Sequence, residues 1–272
     1  MAHLLAVLTG DPERIRCQVD RLRDQVRAGH PGEQLGLGYY ADDRVLVAKL
    51  PAGAPSHEVA ELARDVHSPV LLALSREPGF RYEEAETDPF RFRSWVFAMD
   101  GEVEGFDRIR EPLVRSLPEL VALQLKGTSD REHVFALLLK ELKAQGRLDD
   151  PTLPAVDAAR SMAFAVRALD ALTREGGSNR LTPLAIAATN GRILVAARRG
   201  RPLSYALIEG FSTCGPCGLD GNGGGTASVA AAHRRCKAVA LATEPVAGGF
   251  LEVPDSSVVA VGRGLDIQIS SI

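Results

Sequence analysis

Met1-Ala2-His3-Leu4-Leu5-Ala6-Val7 opens the chain. Trp95-Val96-Phe97-Ala98-Met99-Asp100-Gly101-Glu102-Val103 comes far downstream, followed by Lys126-Gly127-Thr128-Ser129-Asp130-Arg131-Glu132-His133-Val134-Phe135. Residues 3–8 predict a buried strand, and Trp95–Ala98 predicts another. Glu132–Ala144 predicts a helix that stops at Gly146. Strand, strand and helix in that order set the frame for everything between and after them.

Working outward, Asp11-Pro12 starts a helix, with Asp as cap and Pro in the first turn. Ile15, Val19, Leu22 and Val26 form its apolar stripe, and Gly29 ends it. Leu35–Tyr40 and Val45–Leu50 predict a hairpin turning at Asp42-Asp43. Ser56 caps a helix running to about Val66. Pro69–Leu74 is a continuous apolar run, as in a strand covered on both faces. Residues 76–93 mix Arg76, Arg81, Arg91 and Arg93 with Glu83, Glu84, Glu86 and Asp88, which predicts a surface loop. Arg108–Leu117 and Pro154–Leu172 predict further helices. Later segments are strands: Leu184–Thr189 and Ile193–Ala197 around the hairpin signal Asn190-Gly191, then Leu203–Ile208, Ala238–Ala242, Phe250–Val253 and Val258–Val261. Glycine is dense from Gly215 to Gly225, which predicts a loop.

The chain has 272 residues, of which 45% are hydrophobic and only 5% aromatic, so an aliphatic core is expected. A formal net charge of −3 gives no sequence-wide attraction to nucleic acid or anionic membrane. No apolar run reaches the length of a membrane-spanning helix, and residues 3–9 are too few for a signal peptide. A cytoplasmic protein is the expectation. Four cysteines in a chain this long do not make a disulfide scaffold.

The three opening segments together resemble the class II glutamine amidotransferases, a family of N-terminal nucleophile hydrolases. That family starts Met-Cys, carries His-Asn-Gly-Glu at a strand end, and opens a helix with Gly-Asp-Thr-Asp-Ser-Glu. Ala238-Val239-Ala240-Leu241-Ala242-Thr243-Glu244-Pro245 and Glu252-Val253-Pro254 look like later landmarks of the same family. The resemblance runs nearly end to end. It implies a single α+β domain over residues 1–272, built as a four-layer αββα sandwich.

The resemblance also implies roles. The family's Cys attacks the glutamine side-chain amide, with its own α-amino group as base. The Asn and Gly of His-Asn-Gly form an oxyanion hole. An Arg on an early strand binds the substrate carboxylate, and the Asp of Thr-Asp-Ser-Glu binds its ammonium. Here Ala2 stands at the Cys position, Met99 at the His and Asp100 at the Asn, while Gly101 is kept. Arg76 falls at the carboxylate-binding position and Asp130 at the ammonium-binding one. An ionised Asp donates no hydrogen bond and repels a developing oxyanion. No catalytic group is intact, so the expected role is a binding or regulatory module for a protein partner or an amino-acid-like ligand. The alternative is an amidotransferase, or γ-glutamyl amide hydrolase, whose nucleophile was engineered to Ala2. The simultaneous changes at 99 and 100 favour natural loss.

Cys214-Gly215-Pro216-Cys217-Gly218 has the shape of a zinc knuckle, and His233 and Cys236 supply two more ligands after a fifteen-residue spacer. A structural zinc on Cys214, Cys217, His233 and Cys236 would make the chain a zinc-stabilised scaffold, a third reading. A thioredoxin-type redox pair needs a helix after the first Cys, and a Gly-rich run follows instead. The bland alternative is two surface thiols and a buried Cys236. Cys17 reads as an ordinary helix residue. Arg192, Arg198, Arg199 and Arg201 read as a solvated hairpin rim, and His3 as an ordinary residue.

Overall fold

The computed structural model describes residues 2–23, 32–54, 58–77, 83–220, 226–245 and 248–272. The elements in chain order are β1 (Ala2–Thr9), α1 (Ile15–Leu22), β2 (Gln34–Ala41), β3 (Arg44–Leu50), α2 (Val59–Leu62), β4 (Val70–Arg76), β5 (Phe90–Phe92) and β6 (Trp95–Gly101). Then come α3 (Phe106–Ser116), α4 (Glu119–Ala122), α5 (Asp130–Ala144), α6 (Ala155–Glu175), β7 (Leu184–Thr189), β8 (Leu194–Arg199) and β9 (Ser204–Glu209). The chain finishes with β10 (Thr213–Cys214), β11 (Leu219–Asp220), α7 (Ala227–Arg235), β12 (Lys237–Ala242), β13 (Leu251–Glu252), β14 (Ser257–Val261) and β15 (Ile267–Ser271).

Two large antiparallel sheets stack face to face. One has the order β13-β9-β12-β1-β4-β2-β3, the other β15-β14-β8-β7-β6-β5. Strand alternation explains the layering. In β1, Leu4, Ala6 and Leu8 point between the sheets and meet Ala98, Ala187 and Ala196. Leu5 and Val7 point the other way, against Ile15, Val19 and Leu22 of α1. On the second sheet, Phe97, Met99, Ile186 and Val195 face outward onto α5 and α6. Helices, sheet, sheet and helices make the expected αββα sandwich. Every strand at the centre is buried on both faces, which is why so many read as continuous apolar runs.

Tyr40 ties the two sheets together. Its hydroxyl, with one proton to give, lies 2.7 Å from the carbonyl oxygen of Ser94 and 2.9 Å from that of Thr189. Its ring lies where a side chain at Gly191 would be, 2.8 Å from an added Cβ, and Gly191 has φ +84°. The Asn190-Gly191 turn is therefore fixed by backbone conformation and by the packing above it.

Several expectations change. The described part of residues 76–93, which leaves out Arg81, is not simply a surface loop: Asp88, Phe90 and Phe92 are buried, and 90–92 form β5 on the edge of the second sheet. The stretch from Gly215 contains a 3-10 turn and β11. Helices α4 and α7 and strand β15 were not foreseen. Expected features at Val26, Gly29 and Ser56 lie outside the described residues. No described helix is long and apolar enough to cross a membrane.

Candidate functional site

Ala2 is the first residue of β1 and pairs directly with Arg76, the last residue of β4. Leu72 and Leu74 of β4 point between the sheets, and Arg76 shares their parity. It reaches across to the end of β6, where its Nη2 donates to the Met99 carbonyl at 2.7 Å. The two sheets thus meet at Ala2, Arg76 and the Met99-Asp100-Gly101 strand end. Met99 itself turns outward into the helix-side core. Asp100 is buried, with its carboxylate 3.9 Å from Arg201. Gly101 has φ +147°, and an added Cβ would sit 2.6 Å from the Pro183 carbonyl oxygen, so the position accepts only glycine.

Asp88 organises the charges. It is 1% exposed; one oxygen accepts from the Met99 amide at 3.1 Å, the other from Arg131 Nε at 2.8 Å, with Arg76 at 3.8 Å. Burial pulls the Arg76 guanidinium below the usual arginine range, while Asp88 opposes that shift. Burial also opposes the charge on Arg131, but Asp88 and Asp130 outweigh it and raise its pKa. The Nε of Arg76 is buried and has no hydrogen-bond partner among the described residues.

Asp130 starts α5. Its carboxylate accepts from the Val103 amide at 2.7 Å and from the Arg131 amide at 2.9 Å. Ser129 caps the same helix end by accepting from the Arg131 amide. Glu132 turns back to accept from the amides of Lys126 and Gly127, at 3.0 and 2.9 Å, which shapes the loop leading in. Arg76, Glu102, Gly105, Ser129, Asp130 and Arg131 line one cleft of about 430 Å³. Of the three residues singled out by sequence, Arg76 and Asp130 line this cleft, and Gly101 ends β6 without lining it. Sequence reasoning missed Asp88 and Arg131, which lay hidden in charge-rich stretches. A separate cavity of about 340 Å³ lies between β3, β5 and the α4–α5 corner, lined by residues such as Val47, Phe90, Leu125 and Leu139.

The cysteines gather elsewhere. Cys17, Cys214, Cys217 and His233 bring their ligand atoms within 4.8 Å of one another. The expected fourth member, Cys236, is not in this group; its sulfur accepts from Gln18 Nε2 at 2.8 Å. Cys17 takes its place because α1 packs against the turn at Gly215–Cys217, and its sulfur lies 3.5 Å from that of Cys217. Cys214 and Cys236 are buried, so two surface thiols do not describe the turn either. Burial pushes the thiols of Cys17, Cys214 and Cys236 above the ordinary cysteine range. The arginine rim is also less solvated than its composition predicted: Arg199 is buried and holds both oxygens of Asp170 at 2.7 Å.

Two stacked antiparallel sheets between helical layers, with a cleft beside the ends of β4 and β6, make the fold of the N-terminal nucleophile hydrolase type. Residues 1–209 match the family described as class II glutamine amidotransferases. The chain belongs to that family. Among solved structures, it is similar to a glutamine aminotransferase class-II domain protein from Silicibacter pomeroyi, at 19% identity and TM-score 0.61, covering 99% of both chains. It is similar also to a predicted glutamine amidotransferase from Pseudomonas aeruginosa, at 15% identity and TM-score 0.59, covering 100% of this chain and 96% of that one. A third likeness is the glutamine phosphoribosylpyrophosphate amidotransferase of B. subtilis, at 13% identity and TM-score 0.57, where 99% of this chain spans 49% of the other. At these identities the likenesses speak for the fold alone. No curated protein matches the chain.

Proposed function

We propose that the chain is a catalytically inactive member of its family that binds a small amino-acid-like molecule in the cleft lined by Arg76 and Asp130. The observation that carries this reading is the uneven make-up of one site. Ala2, at the strand end where the family's nucleophile is expected, has no reactive atom, yet its cross-strand partner Arg76 and the helix-start Asp130 line a common cleft. A half-buried guanidinium that lines the cleft suits a carboxylate in a charge-assisted geometry. Asp130 Oδ1 accepts from the Arg131 amide and lies 3.5 Å from the Arg131 guanidinium, whereas Oδ2 accepts from the Val103 amide and keeps a second acceptor site for an ammonium.

The same site argues against turnover. Ala2 cannot form a thioester. Asp100, held beside Arg201, stands where a neutral hydrogen-bond donor would be needed and presents a carboxylate. The expected behaviour is binding without hydrolysis. Glutamine and glutamate at millimolar concentration should raise the melting temperature of the wild-type protein, with no ammonia released from glutamine above a protein-free control. Asp130→Asn should abolish the thermal shift while leaving the unliganded protein folded. Ammonia release, or a wild type indifferent to both amino acids, would overturn the reading.

A further inference from the structure

At the far end of β1 from the cleft lies a second constellation. Thr9 pairs with Ala238, and the Gly10 amide donates to the Lys237 carbonyl at 3.0 Å, so the Cys236 region adjoins the exit of β1. Ala2 opens the same eight-residue strand. Its ends are about 23 Å apart at the usual rise per residue. Cys17 comes from α1, Cys214 from the end of β10, Cys217 from the turn that follows it, and His233 from α7.

We infer that Cys17, Cys214, Cys217 and His233 form a structural zinc site of Cys3His type. The imidazole is the most telling member. His233 is fully buried, and its Nδ1 lies 2.8 Å from the carbonyl of Val229. A carbonyl only accepts, so Nδ1 carries the proton and Nε2 is left with a lone pair. That Nε2 is buried and has no hydrogen-bond partner among the described residues. A buried acceptor without a donor is costly, and a histidine held by its other nitrogen on a backbone carbonyl is the arrangement that orients metal ligands.

The sulfurs complete the set. Tetrahedral zinc with bonds of about 2.3 Å separates neighbouring sulfurs by about 3.8 Å. Cys17 and Cys217 already stand at 3.5 Å, and all four ligand atoms lie within 4.8 Å. Gly218 follows Cys217 with φ +66°, and its amide closes the turn on the Gly215 carbonyl at 3.1 Å. A disulfide between any two of the cysteines would leave the third thiol and Nε2 unexplained. Zinc accounts for all four groups: it binds three thiolates and a neutral imidazole, and the thiol protons leave to solvent. With four protein ligands there is no open position, so the metal would hold α1, the β10–β11 turn and α7 together without taking part in chemistry.

The test uses the full chain with any affinity tag removed, grown with added zinc and dialysed against buffer. Mass spectrometry of the metal content should find stoichiometric zinc in the wild type and in Cys236→Ser, and little in Cys17→Ser. Apo protein titrated with cobalt(II) should develop the intense bands of tetrahedral cobalt with three thiolates. Wild type that takes up neither zinc nor cobalt would overturn the inference, as would Cys236→Ser losing the metal while Cys17→Ser keeps it. If both variants misfold, the wild-type cobalt spectrum decides: thiolate-to-cobalt bands support the site, and their absence refutes it.

Discussion

Removing the carboxylate of Asp88 should be among the most damaging single changes in the protein, and the structure gives its size. Asp88 is buried, accepts from the Met99 amide and Arg131 Nε, and lies 3.8 Å from Arg76. In Asp88→Ala both guanidiniums lose their nearest anion and one strand-end amide loses its acceptor. Breaking a buried ion pair from one side costs about 3–5 kcal/mol. The side chains of Arg76 and Arg131 are 25% and 17% exposed, and Arg131 keeps the Glu86 carbonyl at 2.9 Å, so water and a second acceptor offset part of that cost. The expected loss is therefore at or just below the bottom of that range, about 2–3 kcal/mol. For a chain of this size that lowers the melting temperature by about 4–12 °C. Chemical denaturation with an unchanged slope is the assay. The control is Glu111→Ala, which breaks an exposed helical pair with Arg115 at 3.3 Å and should change stability by about 0.5 kcal/mol or less. If Asp88→Ala is as mild as Glu111→Ala, the arginines are solvated in the folded protein and the charge network does not hold the cleft.

Three further outcomes follow from the same geometry. Gly36→Ala would put a Cβ 1.9 Å from the Asp88 carbonyl oxygen and 2.5 Å from Pro89. It should cost about 1–3 kcal/mol in a denaturant melt, and a neutral result would mean that residues 88–89 do not lie over β2. Ala2→Cys, with removal of Met1 verified by mass, should release only traces of ammonia from glutamine. Adding Asp100→Asn should raise the rate on the order of a hundredfold by replacing a repelling carboxylate with a donor; equal rates would show that Asp100 does not oppose the oxyanion. Hydrogen bonds from the Thr152 side chain, Arg147 and the Thr152 amide lower the pKa of Asp150 to about 2. A depressed carboxyl stabilises the fold above its unfolded value, near 3.9, and loses that contribution as pH falls through about 2. The stability gap between wild type and Asp150→Asn should therefore be constant above about pH 5 and close progressively below it; a gap that widens in acid would contradict the assignment.

The sequence made the sandwich legible where burial on both faces produced unbroken apolar runs, as in β1 and in β4, and where a turn needs a special backbone, as at Asn190-Gly191. It hid β5, because two phenylalanines in a run of charges look like a loop until the second sheet supplies the surface they cover. It hid β15 because Ile267 and Ile269 are only partly buried at a sheet edge, so their alternation is faint. Arg76, Gly101 and Asp130 were singled out through resemblance, since each sits next to a recognisable strand end or helix start. Asp88 and Arg131 were not, because a buried charge and a solvated one are the same letter. The Cys17 contribution to the thiol cluster is a contact across 200 positions, and no local spacing encodes it. Cys17 also lies off the sheet-facing stripe of Ile15, Val19 and Leu22 and packs instead with Phe211, Cys214 and Leu219, so the amphipathic pattern of α1 carried no signal for it.

Calorimetric titration of the wild-type protein with glutamine tests binding without turnover in one measurement. The account predicts a saturable single-site isotherm that returns to baseline after each injection. Heat that continues after each injection would reveal hydrolysis, and an isotherm no different from dilution into buffer would show that the cleft between Arg76 and Asp130 holds no amino acid.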